Sequence, residues 1–460
     1  MQEVISILIY LLTLNYEVGV DNQLYYAETR ESEPTSSSTF NNTWNGLYST
    51  LKSARIIINQ CSEGGIDHGN YVTKGMAEVL AAYNCALIAD MFGDAPCSQA
   101  ALIDENGSPV YLTPKMDKQE EIYTQAMQYL DDAIADLQKE DLIDPEAQDL
   151  LYQGDAEKWL KLAYGLKARY TMHLLKRSAN KDADMEKVLE YVNNSFESAE
   201  EQAAFDVYDA NNINPLYGFF VARAGLGASE SMRSKLAEYN DPRLSRAFIT
   251  KQGTSGKEQA PGTADNAVYA PNGTPEQGTS KYGTSLFMYS ISAPTLLLSY
   301  HELKFLEAEA LCRLERDAKS ALKDAVVAGL LNAENSFTIS RKELGKTLIN
   351  AASSITEAEA ESYFDNTIEA KYTAEPLKTT MTQKYFALWG ASGEATESYN
   401  DVRRMKGLGE NFIELKNPNS FPLRCPYGNS DTTTNAEVKA AYGNGQYVYS
   451  ENVWWAGGSR

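Results

Sequence analysis

Hydrophobic residues recur at helical spacing along most of the chain. In DKQEEIYTQAMQYLDDAIADLQ, residues 117–138, the apolar positions share one helix face, with Asp117 placed to cap the helix and Glu120 placed as its capping-box partner. The same pattern predicts four more amphipathic helices, which lie at 44–60, 71–92, 155–175 (with Asp155 as the cap) and 297–314. The chain is therefore predicted to be mainly helical.

The predicted helices come in pairs of about 20 residues joined by short connections. Small residues recur inside them, which allows close helix approach as in tetratricopeptide pairs; these residues are Ala77, Ala81, Ala82, Ala163, Ala168, Ala308 and Ala310. The period is not strict, so the pattern predicts an irregular, repeat-like array with little β structure.

Two stretches, 205–295 and 407–460, lose the helical period. The first contains KQGTSGKEQAPGTADNAVYAPNGTPEQGTSKYG, whose Gly, Asn, Ser and Thr content is typical of loops. The chain is therefore predicted to divide into a helical part at 1–204, an irregular ligand lobe at 205–295, a continuing helical scaffold at 296–406 and an irregular C-terminal segment at 407–460.

The apolar run VISILIYLLTL, residues 4–14, has two interpretations. Its length suits the core of a signal peptide, but Glu3 precedes it, no basic region leads it and no small-residue cleavage site follows. A first core helix is the favoured interpretation. No stretch approaches the roughly 20 apolar residues of a membrane span.

The helix at 71–92 ends at a turn with the sequence FGDAP. Gly93 allows the left-handed helix stop, Asp94 can bond turn amides, and Pro96 disfavours helix at Ala95. We expect this turn to be structural rather than a ligand contact.

Charge and cysteine content narrow the function classes. The net charge of −22 disfavours nucleic-acid binding, which depends on Lys and Arg contacts to phosphates. The five cysteines include no CxxC pair or zinc spacing, so neither a disulfide framework nor a zinc site is predicted.

Motifs for catalysis or cofactor binding are not found in the sequence. There is no GxGxxG, P-loop, GxSxG or EF-hand pattern, and His68, His173 and His301 are the three histidines, which makes a triad or multi-histidine metal site unexpected. We predict no catalytic residue, metal or cofactor. Acidic pairs such as those at 104–107 and 131–132 leave a glycosidase-type carboxylate pair open, although solvated surface is the simpler interpretation.

Aromatic residues outside the helical repeats are the candidate ligand contacts. Tyr269, Tyr282 and Tyr289 lie in or beside the Gly-rich insertion, and Trp389 precedes Gly390 at a helix end, where its ring is expected to reach the surface. Such rings stack on the apolar faces of sugars while nearby polar groups bond the hydroxyls. The alternative is that these rings pack the insertion onto the helices.

Several segments, in order along the chain, resemble one family. KGMAEVLAAYNCALIADMFGDAP, 74–96, is similar to a characteristic stretch of the SusD/RagB family of outer-membrane nutrient-binding lipoproteins, in which an alanine-rich helix ends in an aromatic-Gly-Asp-x-Pro turn. Further similar segments are the helices at 113–137 and 154–174, DPRL at 241–244, TLLLSYHELKFLEAEAL at 295–311, TQKYFALWG at 382–390, YNDVRRMKG at 399–407 and NVWW at 452–455.

The resemblance implies a fold and a role. The fold would be an all-α body of four tetratricopeptide-like helix pairs with a second, irregular lobe that carries much of the ligand surface. The role would be non-catalytic capture of glycans, or sometimes peptides, at the surface of a Bacteroidetes-type bacterium. The implied partner is a SusC-like, TonB-dependent outer-membrane transporter.

The sequence departs from this family at its start. Such lipoproteins begin with a signal that ends in an acylated cysteine, whereas the first cysteine here is Cys61, inside a predicted helix. We expect a lipidated cysteine to precede residue 1 in the full-length protein and to anchor it to the outer membrane.

Other functions remain as alternatives. A peptide-binding member of the same family would share the fold but take a different ligand. An α-helical glycosidase would need two acids in one cleft, and a cytosolic tetratricopeptide adaptor would need a regular 34-residue period and a basic clamp.

Overall fold

The computed structural model describes residues 4–31, 38–251, 258–442 and 447–460. Helix accounts for 56% of the residues and strand for 6%, which confirms the all-α class. The helices in the described ranges are α1 (Val4–Thr13), α2 (Asn22–Thr29), α3 (Ser38–Cys61), α4 (Tyr71–Phe92), α5 (Gln119–Asp136), α6 (Ala156–His173), α7 (Lys181–Asn193), α8 (Pro215–Arg223), α9 (Glu230–Glu238), α10 (Tyr300–Arg313), α11 (Lys319–Leu344), α12 (Glu357–Tyr363), α13 (Glu369–Ala374), α14 (Pro376–Ala387), α15 (Ala395–Leu408), α16 (Asn429–Thr434) and α17 (Ala436–Tyr442).

Neighbouring long helices pack against each other in chain order. Helix α3 packs on α4 and α4 on α5, while α6 packs on α7 and α10 on α11. The small residues predicted to allow close approach, including Ala81, Ala163 and Ala308, are fully buried. The paired-helix scaffold expected from the periodicity is therefore present.

The predicted N-terminal cap is correct for α6 and wrong for α5. Asp155 caps α6, accepting hydrogen bonds from the backbone N–H groups of Glu157 and Lys158 at 3.1 and 3.2 Å. The prediction that Asp117 caps α5 is wrong, because the cap is Lys118, whose backbone N–H donates to Glu121 at 3.0 Å. Asp117 instead accepts bonds from the turn that follows α4, which draws it away from the helix end.

The run at 4–14 forms helix α1, as predicted. Among the described residues, α4 has the length and apolarity of a membrane span, with a mean hydropathy of 1.2 over its best window. That window is 78% buried inside the protein, which makes α4 a central core helix.

In the described part of the chain, six short strands form three pairs. They are β1 (Glu17–Gly19), β2 (Ala203–Phe205), β3 (Leu226–Ala228), β4 (Phe248–Ile249), β5 (Thr284–Ser285) and β6 (Thr295–Leu298). The antiparallel pairs are β1 with β3, β2 with β6, and β4 with β5. The β2–β6 pair brings together the two ends of the 205–295 insertion, so this stretch leaves the helical scaffold and returns to the same place.

The expectation that 205–295 is irregular is wrong in part. Helices α8 and α9, nine residues each, lie inside it. Both have strong start signals that the loop-like composition concealed: Asn214 caps α8 ahead of Pro215, and the Ser229 hydroxyl accepts from the backbone N–H of Met232. Part of the predicted Gly-rich loop, residues 252–257, lies outside the described residues.

The FGDAP turn connects α4 to α5. Gly93 has φ +76°, and its N–H donates to the carbonyl oxygen of Ala89 at 2.8 Å. The Asp94 carboxylate accepts from the backbone N–H of Gln119 at 2.9 Å and from Lys118 Nζ at 2.8 Å. These contacts attach the end of α4 to the start of α5, which supports the structural interpretation of the turn.

Several family-like motifs form buried ion pairs. In DPRL, the Arg243 guanidinium makes a two-pronged contact with Asp241 at 2.9 and 2.7 Å. In YNDVRRMKG, Arg404 pairs with Glu309 of α10, and Lys384 of TQKYFALWG pairs with Asp401 at 2.7 Å. The Arg404–Glu309 and Lys384–Asp401 pairs therefore join α15 to α10 and to α14.

Candidate functional site

A partly open cavity of about 330 Å³ lies between helices α1, α2 and α8 and residues 422–426. Its size falls in the range of small-ligand sites. The wall brings together all four predicted segments, because α1 and α2 belong to 1–204, α8 belongs to 205–295, Tyr399 belongs to 296–406, and residues 422–426 belong to 407–460. We call it the α1–α2–α8 cavity.

An exposed aromatic ring stands at the edge of this cavity. Tyr26 of α2 is 66% exposed, and its ring meets that of Tyr25 edge-on at 5.7 Å. Phe219 of α8 is half-buried and also lines the cavity. Exposed rings next to polar side chains such as Asn22 and Gln23 are the mixture that binds sugars.

The backbone around the cavity holds unusual conformations. Asn22, Arg30 and Ala224 all line the cavity and have φ values of +53°, +48° and +49°. Ala224 combines this φ with ψ −143°, a region that is almost restricted to glycine. Such conformations cost on the order of 1–3 kcal/mol each and concentrate at ligand sites.

The deep wall is rigid and aromatic. The rings of Tyr10 and Tyr399 stack with centroids 4.5 Å apart. The Tyr10 hydroxyl lies 3.2 Å from Cys425 Sγ, and the Tyr399 hydroxyl donates to the carbonyl oxygen of Pro422 at 2.8 Å. Burial raises the pKa of Tyr399, and the nearby charge of Arg403 lowers it, for a net value above its ordinary one. The wall hydroxyls are therefore neutral hydrogen-bonding groups.

A second, more open cleft of about 370 Å³ lies beside the loop between α4 and α5. Tyr48, Lys52 and Tyr111 line it, and Tyr111 is 45% exposed. The neighbouring Val110 and Leu112 are exposed as well. This cleft is the alternative location for a ligand, and we call it the α4–α5 loop cleft.

Two of the predicted ligand contacts, Tyr282 and Tyr289, are buried. Tyr282 packs with Val18, Val20 and Ala270 in a small separate core. Tyr289 meets the ring of Phe220 edge-on at 5.4 Å. The insertion therefore has a packed interior that encloses both rings.

The other two predicted contacts, Trp389 and Tyr269, also pack inside. The expectation that Trp389 reaches the surface is wrong: its ring is 1% exposed, lies 5.0 Å from Phe287 and 5.4 Å from Phe248, and donates from Nε1 to Glu17 at 3.3 Å. Tyr269 is half-buried against Phe248. None of the four predicted rings lines either the α1–α2–α8 cavity or the α4–α5 loop cleft.

A buried cluster of charges crosses the helical core. We call it the polar core cluster; its members are Asp90 of α4, Arg169 and His173 of α6, Glu302 of α10 and Glu397 of α15. Sequence reasoning placed His173 on a helix but missed this cluster, because its five members are spread over more than 300 residues.

Asp90, His173 and Glu397 have the composition of a metal site, with ligand atoms within 4.8 Å of one another. Both nitrogens of His173 are occupied, however: Nδ1 lies 2.9 Å from the Tyr123 hydroxyl, and Nε2 lies 2.9 Å from Glu397. Burial lowers the pKa of His173, but Asp90 and Glu397 raise it more, to about 9. In this arrangement the protonated imidazole lies between the two carboxylates, and the cluster forms a network of internal ion pairs.

Sequence reasoning also missed the α1–α2–α8 cavity. The available signal was the adjacent tyrosines in NQLYYAET, which follow a polar turn and lack a helical apolar face. Because α2 is short, its aromatic pair did not stand out from the longer amphipathic helices.

The chain matches a family model described as "Starch-binding associating with outer membrane", named SusD-like, over residues 16–427. A SusD/RagB family protein from Bacteroides thetaiotaomicron VPI-5482 is 67% identical and superposes with a TM-score of 0.94, covering 99% of this chain and 95% of that chain.

More distant structures share the fold. A SusD homologue from Bacteroides fragilis NCTC 9343 is 20% identical, with a TM-score of 0.69 over 98% of this chain and 99% of that chain. A chitin-binding SusD homologue from Flavobacterium johnsoniae is 18% identical, with a TM-score of 0.70 over 99% of this chain and 94% of that chain. No curated protein matches the chain significantly.

Proposed function

The chain belongs to the SusD/RagB family, and from this membership we propose that it is a non-catalytic protein that binds glycans at the outer-membrane surface. The α1–α2–α8 cavity is the proposed binding site. The observation that carries this location is the exposed ring of Tyr26 beside a partly open cavity of ligand size.

The cavity offers both kinds of contact that a sugar uses. The ring of Tyr26 presents an apolar face for the C–H side of a pyranose. Asn22 and Gln23 are exposed on the adjacent turn of α2 and supply donors and acceptors for hydroxyl groups. The rigid wall around Tyr10 and Tyr399 lowers the cost of ordering the site on binding.

The binding experiment compares two tyrosines. Tyr26→Ala is expected to weaken the binding of a glycan by about 2 kcal/mol, the typical loss for an aromatic residue that anchors a ligand. This loss corresponds to an increase in Kd of about thirtyfold. Tyr111→Ala, at the α4–α5 loop cleft, is the matched control and is expected to bind like the wild type. Isothermal titration against a panel of oligosaccharides and peptides measures both variants.

The outcomes of this comparison are separable. Loss of binding in Tyr111→Ala alone moves the site to the α4–α5 loop cleft. If both variants bind the glycan like the wild type, neither the α1–α2–α8 cavity nor the α4–α5 loop cleft is the binding site. A protein that binds peptides and no oligosaccharide is the peptide-binding alternative of the same family.

Catalysis is not part of the proposal. The carboxylates that line the cavity belong to Asp21 and Glu31, and Asp21 is occupied in capping α2 through the N–H of Asn22 at 2.8 Å. A reducing-sugar assay on the bound glycan is expected to show no turnover. If the protein releases product steadily and Asp21→Asn or Glu31→Gln abolishes this release, the protein is a glycosidase instead.

Delivery to a transporter completes the proposal. We propose that the protein, anchored as a surface lipoprotein, passes its glycan to a SusC-like, TonB-dependent transporter. Affinity purification of the tagged native protein from outer membranes is expected to recover such a transporter. Native protein found in the cytoplasm without that partner contradicts both the localisation and the transport role.

A further inference from the structure

The α1–α2–α8 cavity has an uncompensated positive charge in its wall. Arg30, which follows α2, is 9% exposed and lines the cavity. Its Nη1 donates to the carbonyl oxygen of Ser420 at 3.1 Å, while Nη2 is buried without a hydrogen-bond partner among the residues that the structure describes. A buried guanidinium in this state is unfavourable and favours an anion that completes its hydrogen bonds.

The neighbouring acid does not fill this role. Within 4.0 Å of the Arg30 guanidinium, no carboxylate oxygen lies among the residues that the structure describes. Glu28 is the nearby acidic residue, and its carboxylate accepts from the backbone N–H of Gly273 at 2.6 Å, from Asn417 Nδ2 at 3.1 Å and from the N–H of Gly19 at 3.4 Å. Burial raises the pKa of Glu28 to about 7 even though Arg30 lowers it, so its negative charge is incomplete at neutral pH.

A second cation lines the same cavity. Arg223, the last residue of α8, is exposed, and its guanidinium lies 5.8 Å from the centroid of the Phe219 ring. In the described part of the chain it makes no ion pair within 4.0 Å. The wall of this cavity therefore contains arginines that make no salt bridge with the described residues, although the protein has a net charge of −22.

The other charged groups of the cavity are accounted for. Arg424 donates from Nη2 to the carbonyl oxygen of Phe92 and to the Tyr427 hydroxyl at 3.1 Å, so it is held in the wall. Asp21 caps α2 and accepts from Gln277 Nε2 at 3.4 Å. Glu31 is exposed beside Arg30 in the chain. Arg30 is therefore the wall cation with an unpaired nitrogen, Nη2, and Arg223 is the exposed cation of the same cavity.

We propose that the α1–α2–α8 cavity selects acidic glycans, with Arg30 and Arg223 binding an anionic substituent of the sugar. This inference rests on the proposed glycan-binding function and adds a substrate class to it. The substituent is a carboxylate, as in a uronic acid, or a sulfate ester, because both accept hydrogen bonds from a guanidinium in the two-pronged geometry. Tyr26 stacks on the sugar ring while the arginines bind its charge.

The test uses one oligosaccharide in two charge states. An oligogalacturonide and the same oligosaccharide after carboxyl reduction are titrated into the protein at low salt, with a sulfated oligosaccharide as a third ligand. The carboxylated or the sulfated ligand is expected to bind at least about tenfold more tightly than the neutral one, since charge-assisted hydrogen bonds outweigh neutral ones. The preference is expected to shrink as salt is added.

Three variants assign the preference to its residues. Arg223→Gln and Arg30→Gln are each expected to reduce the ratio of acidic to neutral affinity, and Arg30→Lys is expected to retain more of it than Arg30→Gln. Arg316→Gln, which removes an exposed arginine that pairs with Glu186 and does not line the cavity, is the matched control. Thermal unfolding of each variant confirms that it is folded before the titration.

The inference and the proposed function fail separately. If the acidic, carboxyl-reduced and sulfated ligands bind equally well and Tyr26→Ala still binds more weakly, the preference for acidic glycans is overturned. The proposed glycan-binding function then stands. An acidic preference that survives in both Arg→Gln variants also overturns it. Binding of no oligosaccharide, neutral or acidic, overturns the proposed function itself.

Discussion

The rings of Tyr26 and Trp389 differ in exposure, which is 66% for Tyr26 and 1% for Trp389. Sequence reasoning chose Trp389 because a glycine follows it, but Gly390 lies beside the Phe287 ring rather than at an open surface. Tyr26, which the sequence did not single out, stands exposed at the α1–α2–α8 cavity. Exposure depends on long-range packing, which neighbouring residues in the sequence do not reveal.

Trp389→Ala is expected to lower the free energy of unfolding by about 3–5 kcal/mol, because it empties a fully buried aromatic site. The glycan Kd of the folded fraction is expected to stay at the wild-type value. Chemical denaturation and titration below the melting temperature measure the two quantities. Tyr26→Ala is the reciprocal control, with weakened binding and unchanged stability. If a folded Trp389→Phe variant loses glycan binding, Trp389 belongs to the binding site after all.

His173 links stability to pH through the polar core cluster. Its folded-state pKa of about 9 lies above the unfolded value of about 6.5. The stabilisation from its charge is therefore complete below pH 6.5 and is lost as the pH rises through 9. The expected loss is on the order of 2 kcal/mol.

Urea denaturation at pH 6.5 and pH 9 measures this loss. His173→Gln is expected to reduce the difference between the two pH values. Glu17 and Glu28, whose pKa values burial raises to about 8 and about 7, contribute in the same direction and leave a residual slope. The exposed His68, changed to Gln, is the control and is expected to keep the wild-type slope. An unchanged slope in His173→Gln contradicts the assignment.

At the scale of elements, long helices were predictable because their periodic pattern is local. Helices α4, α6 and α10 fall where the apolar spacing places them, and Asp155 caps α6 as expected. The short helices α8 and α9 were missed, since nine residues carry too few repeats of the pattern to stand out from a polar stretch. The polar core cluster was beyond prediction because four separate helices contribute to it.

The end of α4 depends on Gly93 for two reasons that can be separated. Its φ is +76°, and an added Cβ would lie 2.9 Å from the carbonyl oxygen of Arg460 and 3.1 Å from Arg424 Nη2. Gly93→Ala is therefore expected to destabilise the protein by more than the roughly 1 kcal/mol of the conformational cost alone. Gly107 has nearly the same φ, +78°, with open space around it, so Gly107→Ala is the matched control. Equal melting temperatures for the two variants contradict the steric part of the argument.

At the scale of the whole molecule, the irregular segments complete the helical core. Trp455 of the C-terminal segment donates from Nε1 to Asp90 at 2.9 Å, and its backbone N–H donates to Gln119 at 2.9 Å, so it joins α4 to α5. The β2–β6 pair attaches the insertion 205–295 to the same scaffold. These contacts support the proposal that the four segments predicted from the sequence make one domain.

A single domain is expected to unfold in one transition. The tryptophans report on three of the four segments, since Trp44 and Trp159 lie in 1–204, Trp389 in 296–406, and Trp454 and Trp455 in 407–460. Melting curves from tryptophan fluorescence and from far-UV circular dichroism are therefore expected to coincide. Trp455→Ala is expected to shift both curves to lower temperature by the same amount, because the fully buried ring fills space between the C-terminal segment and the helices. Trp454→Ala, which removes the partly buried neighbouring ring, is the matched control and is expected to shift them less. If Trp455→Ala lowers the fluorescence transition while the helical signal melts at its original temperature, the C-terminal segment is a separate unit and the one-domain proposal fails.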